Sequence, residues 1–288
     1  MPELEGVEHR FLDVRGATLH VAELGPADGP AVLLVHGWPQ HWWSWRSLMP
    51  LLADRYRVLA LDLRGFGWSE PTKRGYRKEE LADDIAGVLD ALAIERVDLV
   101  GHDWGGVVGF LVCLNHGDRV QRFVPMNTGH VWPTLSIKGV PKQLGAMAYQ
   151  GLLASPGVGR RINASPRLVG KVVNAISTGD EVAGEYAAQF APRMADPARA
   201  RAASQVYRTF QLYEYPKWVR GKYADRRLTT PTLWLHGLAD PFFKPGMFKD
   251  IVEHADDVRI EYLEGCGHFP AEECPQAVAE HLRAFFSP

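Results

Sequence analysis

The stretch Val97-Asp98-Leu99-Val100-Gly101-His102-Asp103-Trp104-Gly105-Gly106 decides the reading of this chain. Residues 97–100 have the apolar, β-branched character of a strand, and residues 105–116 that of a buried helix, so the backbone must turn sharply between them. Glycines on both sides of position 103 let backbone segments pack closely at that turn. Strand, sharp turn and helix are the layout of a nucleophile elbow, G-x-S-x-G, with Asp103 where the serine would stand. The exchange changes the chemistry. A serine must lose a proton before it attacks an acyl carbon; a carboxylate is already ionised and can displace a leaving group from an sp³ carbon, forming an alkyl ester of the protein. The adjoining helix N-terminus should favour the anion and keep its pKa low. An Asp at such a junction is also an ordinary helix N-cap, so its partners must decide between the two readings.

Working outward, strand and helix signals alternate. Residues 11–14 and 18–24 read as an antiparallel pair turning at Arg15-Gly16, and the continuous apolar run 31–35 as a strand covered on both faces. Residues 47–53 read as helix and 56–61 as strand. Residues 78–93 carry Leu81, Ile85, Val88, Leu89 and Leu92 at a helical period, and 122–126 is a further strand. This order predicts a parallel sheet with helices on both faces. From 128 to about 228 strand signals stop, and prolines 133, 141, 156, 166, 192, 197 and 216 punctuate short helix-like pieces. Strands return at 231–236 and 258–263, before a final helix near 275–286. The expectation is an α/β core, residues 1–127 and 229–288, interrupted by a helical insertion, residues 128–228. That insertion holds fifteen Lys/Arg against six Asp/Glu, a net +9 that leaves −11 for the core. Solvated helix faces account for this; attraction of an anionic ligand is the sharper alternative.

Two residues turn Asp103 from a cap into a candidate nucleophile. Asp240 follows the strand at 231–236, and His268 follows the strand at 258–263. Nucleophile, acid and histidine in that chain order, each just past the carboxyl end of a strand, is the arrangement open α/β sheets use for catalysis. On these residues the chain resembles the α/β-hydrolase fold enzymes with an aspartate nucleophile, and within them the epoxide hydrolases.

That resemblance covers essentially the whole chain and implies further roles. His36-Gly37-Trp38-Pro39 looks like the family's H-G-x-P motif, which makes the backbone N–H of Trp38 one oxyanion-hole donor and that of Trp104 the other, with both side chains facing the substrate pocket. The run Gln40-His41-Trp42-Trp43-Ser44-Trp45-Arg46 also resembles epoxide hydrolases, and the tryptophan-rich stretch Trp38 to Trp45 is as readily pocket wall as recognition motif. Asp62-Leu63-Arg64-Gly65-Phe66-Gly67-Trp68-Ser69 is common to the wider superfamily and reads as structural. The insertion becomes a cap over the site. Family caps carry two tyrosines that hydrogen-bond the epoxide oxygen, one usually within N-x-Y-R; Gln205-Val206-Tyr207-Arg208 matches its Tyr and Arg and has Gln for Asn, which selects Tyr207. Tyr149 stands where the second belongs, with Tyr213 as its main rival and Tyr186, Tyr215 and Tyr223 as packing residues. A phenol, with a reference pKa near 10, keeps its proton at neutral pH and can donate to an alkoxide as charge builds on it.

Composition narrows the classes. Hydrophobic residues at 46% and charged at 23% suit a globular protein, not a disordered one. The longest near-apolar run, 105–114, is about half a membrane span, so no membrane association is expected. The acidic start MPELEGVEHRF has no apolar core of a signal peptide, and three cysteines (Cys113, Cys266, Cys274) make no disulfide framework, so a reducing cytoplasm is expected. A net charge of −2 argues against a nucleic-acid partner. No Cys/His cluster has zinc spacing, and the chemistry calls for no cofactor and no metal. His36 and His236, both preceding glycine, receive no proton-transfer role. The partners expected are a small epoxide and water, in a monomer or a homodimer. Two alternatives stand beside epoxide hydrolysis: dehalogenation of a haloalkane or haloacid by the same Asp103, and a non-catalytic ligand receptor on the same fold. Trp104 after the nucleophile suits a dehalogenase too; the Trp at 38, where those enzymes commonly have Asn or Glu, does not.

Overall fold

The computed structural model describes residues 1–133 and 149–287. Eight strands form one sheet in the order β1-β2-β4-β3-β5-β6-β7-β8. These are β1 (Glu8–Val14), β2 (Ala17–Leu24), β3 (Ala31–Val35), β4 (Arg57–Leu61), β5 (Val97–His102), β6 (Val120–Met126), β7 (Thr232–Gly237) and β8 (Val258–Leu263). β1 and β2 pair antiparallel, β2 joins β4 antiparallel, and the other neighbours are parallel.

The continuous apolar runs have the cause expected of them. Alternate residues of each central strand face opposite sides of the sheet, and both sides are covered. Leu33, Val35, Leu59, Leu61, Leu99 and Phe123 join one buried cluster with α2 (Lys78–Ala91) and α3 (Trp104–Asn115). Val32, Leu34, Val58, Ala60, Val100 and Val124 join a second cluster with Trp42, Trp45, α1 (Met49–Leu52) and α7 (Pro275–Phe286). Each such Val or Leu contributes about 1.5–3 kcal/mol on burial. The Trp42–Trp45 turn is therefore core beneath the sheet and not pocket wall: Trp42 and Trp45 are fully buried there, because this 3₁₀ turn directs their rings under β3 and β4. β5 runs two residues beyond its apolar stretch, since Gly101 and His102 continue the parallel ladder with Pro125 and Met126.

Between β6 and β7 the described residues are helical, as expected. Residues 134–148 of the expected insertion, with Pro141, lie outside the described residues. α4 (Val158–Asn163) follows Gly157, and prolines start the next two named helices: α5 (Pro166–Ile176) has Pro166 at its first turn after the Ser165 cap, and α6 (Pro197–Thr209) has Pro197 after the Asp196 cap. A π-helical turn, Phe210–Glu214, continues directly from α6.

Candidate active site

Asp103 stands between β5 and α3 at φ 50°, ψ −119°, a conformation that a residue with a Cβ adopts only when its surroundings impose it. Packing imposes it. A Cβ on Gly105 would lie 2.0 Å from the carbonyl oxygen of Val35, so only glycine lets α3 begin this close to β3. The turn is tied from β6 by Thr128, whose hydroxyl donates to the Asp103 carbonyl at 2.6 Å.

The carboxylate accepts from the main-chain N–H groups of Trp38, at 2.8 Å, and Trp104. Both expected oxyanion-hole amides thus converge on Asp103. Its pKa is nevertheless raised, which corrects the expectation of a low value. Burial is the dominant influence and outweighs the opposing His268 charge and the two amides. The helix N-terminus does not offset the solvent lost around a side chain that is mostly enclosed.

The three residues separated in sequence come together at the carboxyl ends of β5, β7 and β8. His268 Nδ1 lies 2.8 Å from Asp240 Oδ2, and His268 Nε2 lies 4.0 Å from Asp103 Oδ2. Burial alone would raise the Asp240 pKa, but hydrogen bonds and charge from His268, with Asn127 and the Phe242 amide, hold it at about 2. His268 is shifted upward: desolvation works against it and is outweighed by Asp240 and, to a lesser degree, Asp103.

Sequence reasoning missed Asn127. Its amide donates to Asp240 Oδ2 at 2.8 Å and to the Gly267 carbonyl at 3.0 Å, and accepts from the Gly237 N–H at 3.0 Å. One side chain thereby holds both the acid and the loop carrying the histidine. The signal was present: Asn127 is the first polar residue past the apolar run of β6, beyond the carboxyl end of a strand as Asp240 and His268 are. His36 and His236 are accounted for as structural. His36 accepts from the Leu63 N–H at 3.1 Å and sits 2.8 Å from the Gly37 carbonyl, while His236 contacts the Phe243 carbonyl.

Above the carboxylate lies a cavity of about 530 Å³, lined among others by Asp103, Trp104, Tyr149, Phe210, Trp218 and Phe242. Trp104 and Tyr149 are among its lining residues, and Trp38 and Tyr207 pack directly against them. The Trp38 ring meets Tyr149 and Tyr207 edge-on, each at 6.0 Å, and its indole N–H donates to Asn163 of α4 at 2.7 Å. Tyr207, on α6, packs edge-on to Trp104 at 5.2 Å. Burial pushes both phenols far above the ordinary tyrosine range. The Asp103 charge adds to this, and each is influenced by a neighbouring phenol, Tyr186 for Tyr149 and Tyr149 for Tyr207. The Tyr149 hydroxyl is buried with no hydrogen-bond partner among the described residues.

The other tyrosines separate cleanly. Tyr213, the rival, is 51% exposed beneath the Arg77 guanidinium. Tyr223 donates to Glu79 at 2.7 Å, and Tyr215 lines the cavity away from the carboxylate's immediate contacts. Tyr186 is buried near Tyr149, its hydroxyl also unpartnered among the described residues. Among the described residues no group of three or more His, Cys, Asp or Glu could hold a metal ion, and no helix is long and apolar enough to cross a membrane.

With this geometry in hand, likeness to known proteins is informative. A family model described as alpha/beta hydrolase fold matches residues 30–275. The chain is 28% identical over 297 residues to the AB hydrolase superfamily protein YfhM of Bacillus subtilis, covering 97% of this chain and 99% of that protein. It is 29% identical over 295 residues to the soluble epoxide hydrolase of Corynebacterium sp., covering 98% of each. Among solved structures, the epoxide hydrolase CorEH superposes with a TM-score of 0.81 at 26% identity, covering 97% of this chain and 98% of that one.

Proposed function

The chain belongs to the alpha/beta hydrolase fold family, and on that premise we propose that it is an epoxide hydrolase, converting an epoxide and water to a vicinal diol. The full-length likeness to the Corynebacterium enzyme supports this reading. The observation that carries it is a pair of buried phenols, Tyr149 and Tyr207, packed edge-on against Trp38, with Tyr207 also against Trp104, beside Asp103; burial raises the pKa of both, so they hold their protons as donors. The described part of residues 128–228 acts as the cap that supplies them.

In the first step an Asp103 carboxylate oxygen attacks a ring carbon. The carbon–oxygen bond breaks, and the departing oxygen takes a hydrogen bond and then a proton from the phenols. Donors aimed at this oxygen matter because an alkoxide is a poor leaving group in a site that excludes water. In the second step His268 removes a proton from water, and the resulting hydroxide attacks the ester carbonyl of Asp103. The main-chain N–H groups of Trp38 and Trp104 hold the oxyanion; on its collapse the bond from the Asp103 carbonyl carbon to the alkyl oxygen breaks, that oxygen takes the proton held by His268, and the diol leaves, while the proton on the new Asp103 carboxyl group restores the phenol through water. The His268–Asp103 separation of 4.0 Å is too long for a direct hydrogen bond and leaves a water within reach of both groups.

The electrostatics order the two steps. In the free protein the Asp103 charge helps hold the His268 pKa up. Alkylation removes that charge, so the pKa of His268 falls when the ester forms and a base is needed. Dehalogenation is the second reading, favoured by one observation: Trp104 directly follows the nucleophile and lines the cavity, where its indole N–H could donate to a halide, although that side chain already serves Tyr207. A halide site needs more than one donor, however, and the Trp38 indole is already committed to Asn163.

Single-turnover reaction in ¹⁸O-water with terminal and styrene-type epoxides, beside haloalkanes, tests the proposal. Diol release with solvent oxygen entering the Asp103 carboxyl group, and loss of both in Asp103→Ala, is the expected result. Halide release without diol would replace it with the dehalogenase reading. Stabilisation by small ligands without turnover of either class would point to a receptor.

A further inference from the structure

Lys78, the first residue of α2, has its whole side chain withdrawn from solvent and turned toward the site. An ammonium has three N–H donors, and the structure supplies three acceptors, all from the insertion: the Val206 carbonyl, the Thr209 hydroxyl at 3.1 Å and Glu214 Oε2 at 3.0 Å. The other oxygen of Glu214 accepts from the Lys78 backbone N–H at 2.6 Å, so one carboxylate binds both the ammonium and the start of α2. The ammonium also lies 4.7 Å from the centre of the Trp104 ring and 5.4 Å from that of Phe210. Val206 immediately precedes Tyr207, and Trp104 immediately follows Asp103.

Stability does not account for this arrangement. A buried ion pair contributes no more than apolar residues of the same volume would, and often less. What a fully matched ammonium does specify is geometry: it fixes the end of α6 and the π-helical turn beyond it against one face of Trp104. We infer that Lys78 is a positioning residue for ring opening, its buried ammonium holding Tyr207 against Trp104 so that the phenol faces the oxygen leaving from the carbon under attack. The inference rests on the epoxide reading above. It concerns the alkylation step alone, since His268 and its partners make no contact with Lys78 among the described residues.

The test is a double-mutant cycle in single turnover with a styrene-type epoxide. It compares wild type, Tyr207→Phe, Lys78→Met and the double variant. Ester formation on Asp103 is followed by protein mass and ester hydrolysis by diol release. Lys78→Met is expected to slow ester formation by about 10- to 100-fold while leaving ester hydrolysis nearly unchanged, and to add little to Tyr207→Phe. Slowing of both steps alike, or effects that multiply in the double variant, would overturn the inference and leave Lys78 a merely structural residue. If Lys78→Met does not fold, Thr209→Val removes one acceptor and carries the same cycle with the same expected direction. Ester formation unaffected by Tyr207→Phe while Asp103→Ala abolishes it would instead remove Tyr207 from the epoxide reading, a failure distinct from that of Lys78.

Discussion

Replacing Tyr149 by Phe should stabilise the protein and cripple it in the same stroke. The Tyr149 hydroxyl is buried and has no hydrogen-bond partner among the described residues, while the ring is held by Trp38 edge-on and by Phe242 stacked at 6.1 Å. Phe keeps those ring contacts and deletes only the desolvated hydroxyl. An unsatisfied buried hydroxyl costs about 1–3 kcal/mol, so the variant should gain about 1 kcal/mol. For a chain of this size that raises Tm by about 2–3 °C. The same hydroxyl is one of the two donors proposed for the leaving oxygen. Losing one such donor costs about 100-fold in the ester-forming step, or about 2.7 kcal/mol. Thermal melts followed by circular dichroism give the first number and rapid-quench single turnover the second. The opposite signs are the content of the prediction. A Tm that falls, together with undiminished ester formation, would show that the hydroxyl has a structural partner and no part in the reaction.

Other perturbations test the rest of the site. His268→Gln should trap the alkyl-enzyme: protein mass rises by the mass of one substrate and stays there, because attack on the epoxide does not need the imidazole and hydrolysis does. Gly37→Ala would place a Cβ 2.2 Å from Asp103 Oδ1; kcat/KM should fall at least about 100-fold as the carboxylate is displaced, and unchanged kinetics would mean the loop can yield. Asn127→Ala leaves the Gly267 carbonyl and Asp240 each short of a donor; diol formation should slow about 10-fold with ester formation less affected, since Asn127 acts through the orientation of His268. Asp240 gives the acid stability a defined sign. Its pKa is depressed to about 2 in the folded protein, below the ordinary value near 3.9, so it contributes about 2 kcal/mol fully above about pH 4 and loses that contribution as pH falls toward 2. Asp240→Asn should flatten the stability–pH curve in that window when followed by urea titration.

Much of this protein was legible in its sequence because the informative patterns are local. Both faces of the sheet are covered, so the central strands are strongly apolar: the run at 31–35 is unbroken, and that at 97–100 is interrupted only by Asp98. The insertion announced itself through prolines that turn out to open its helices. Asp103, Asp240 and His268 could be picked out because each is a polar residue beyond the carboxyl end of a strand, and parallel strands carry all such positions to one edge of the sheet. What only the tertiary structure decided depends on direction and enclosure, neither of which a linear pattern encodes. Among the six tyrosines of the insertion, likeness to a family motif selected Tyr207 and Tyr149 in sequence but left Tyr213 a rival; packing exposes Tyr213, binds Tyr223 to Glu79 and turns Tyr149 and Tyr207 toward Trp38. The tryptophans at 42 and 45 went under the sheet, since a single turn of 3₁₀ helix reversed the face they meet. The Asp103 pKa moved up because burial, a property of the whole assembled site, outweighed the adjoining helix terminus that sequence alone could see. Lys78, an ordinary surface residue by composition, became the buried contact between α2 and the insertion because a helix start and a π-helical turn 136 residues apart close on each other in space.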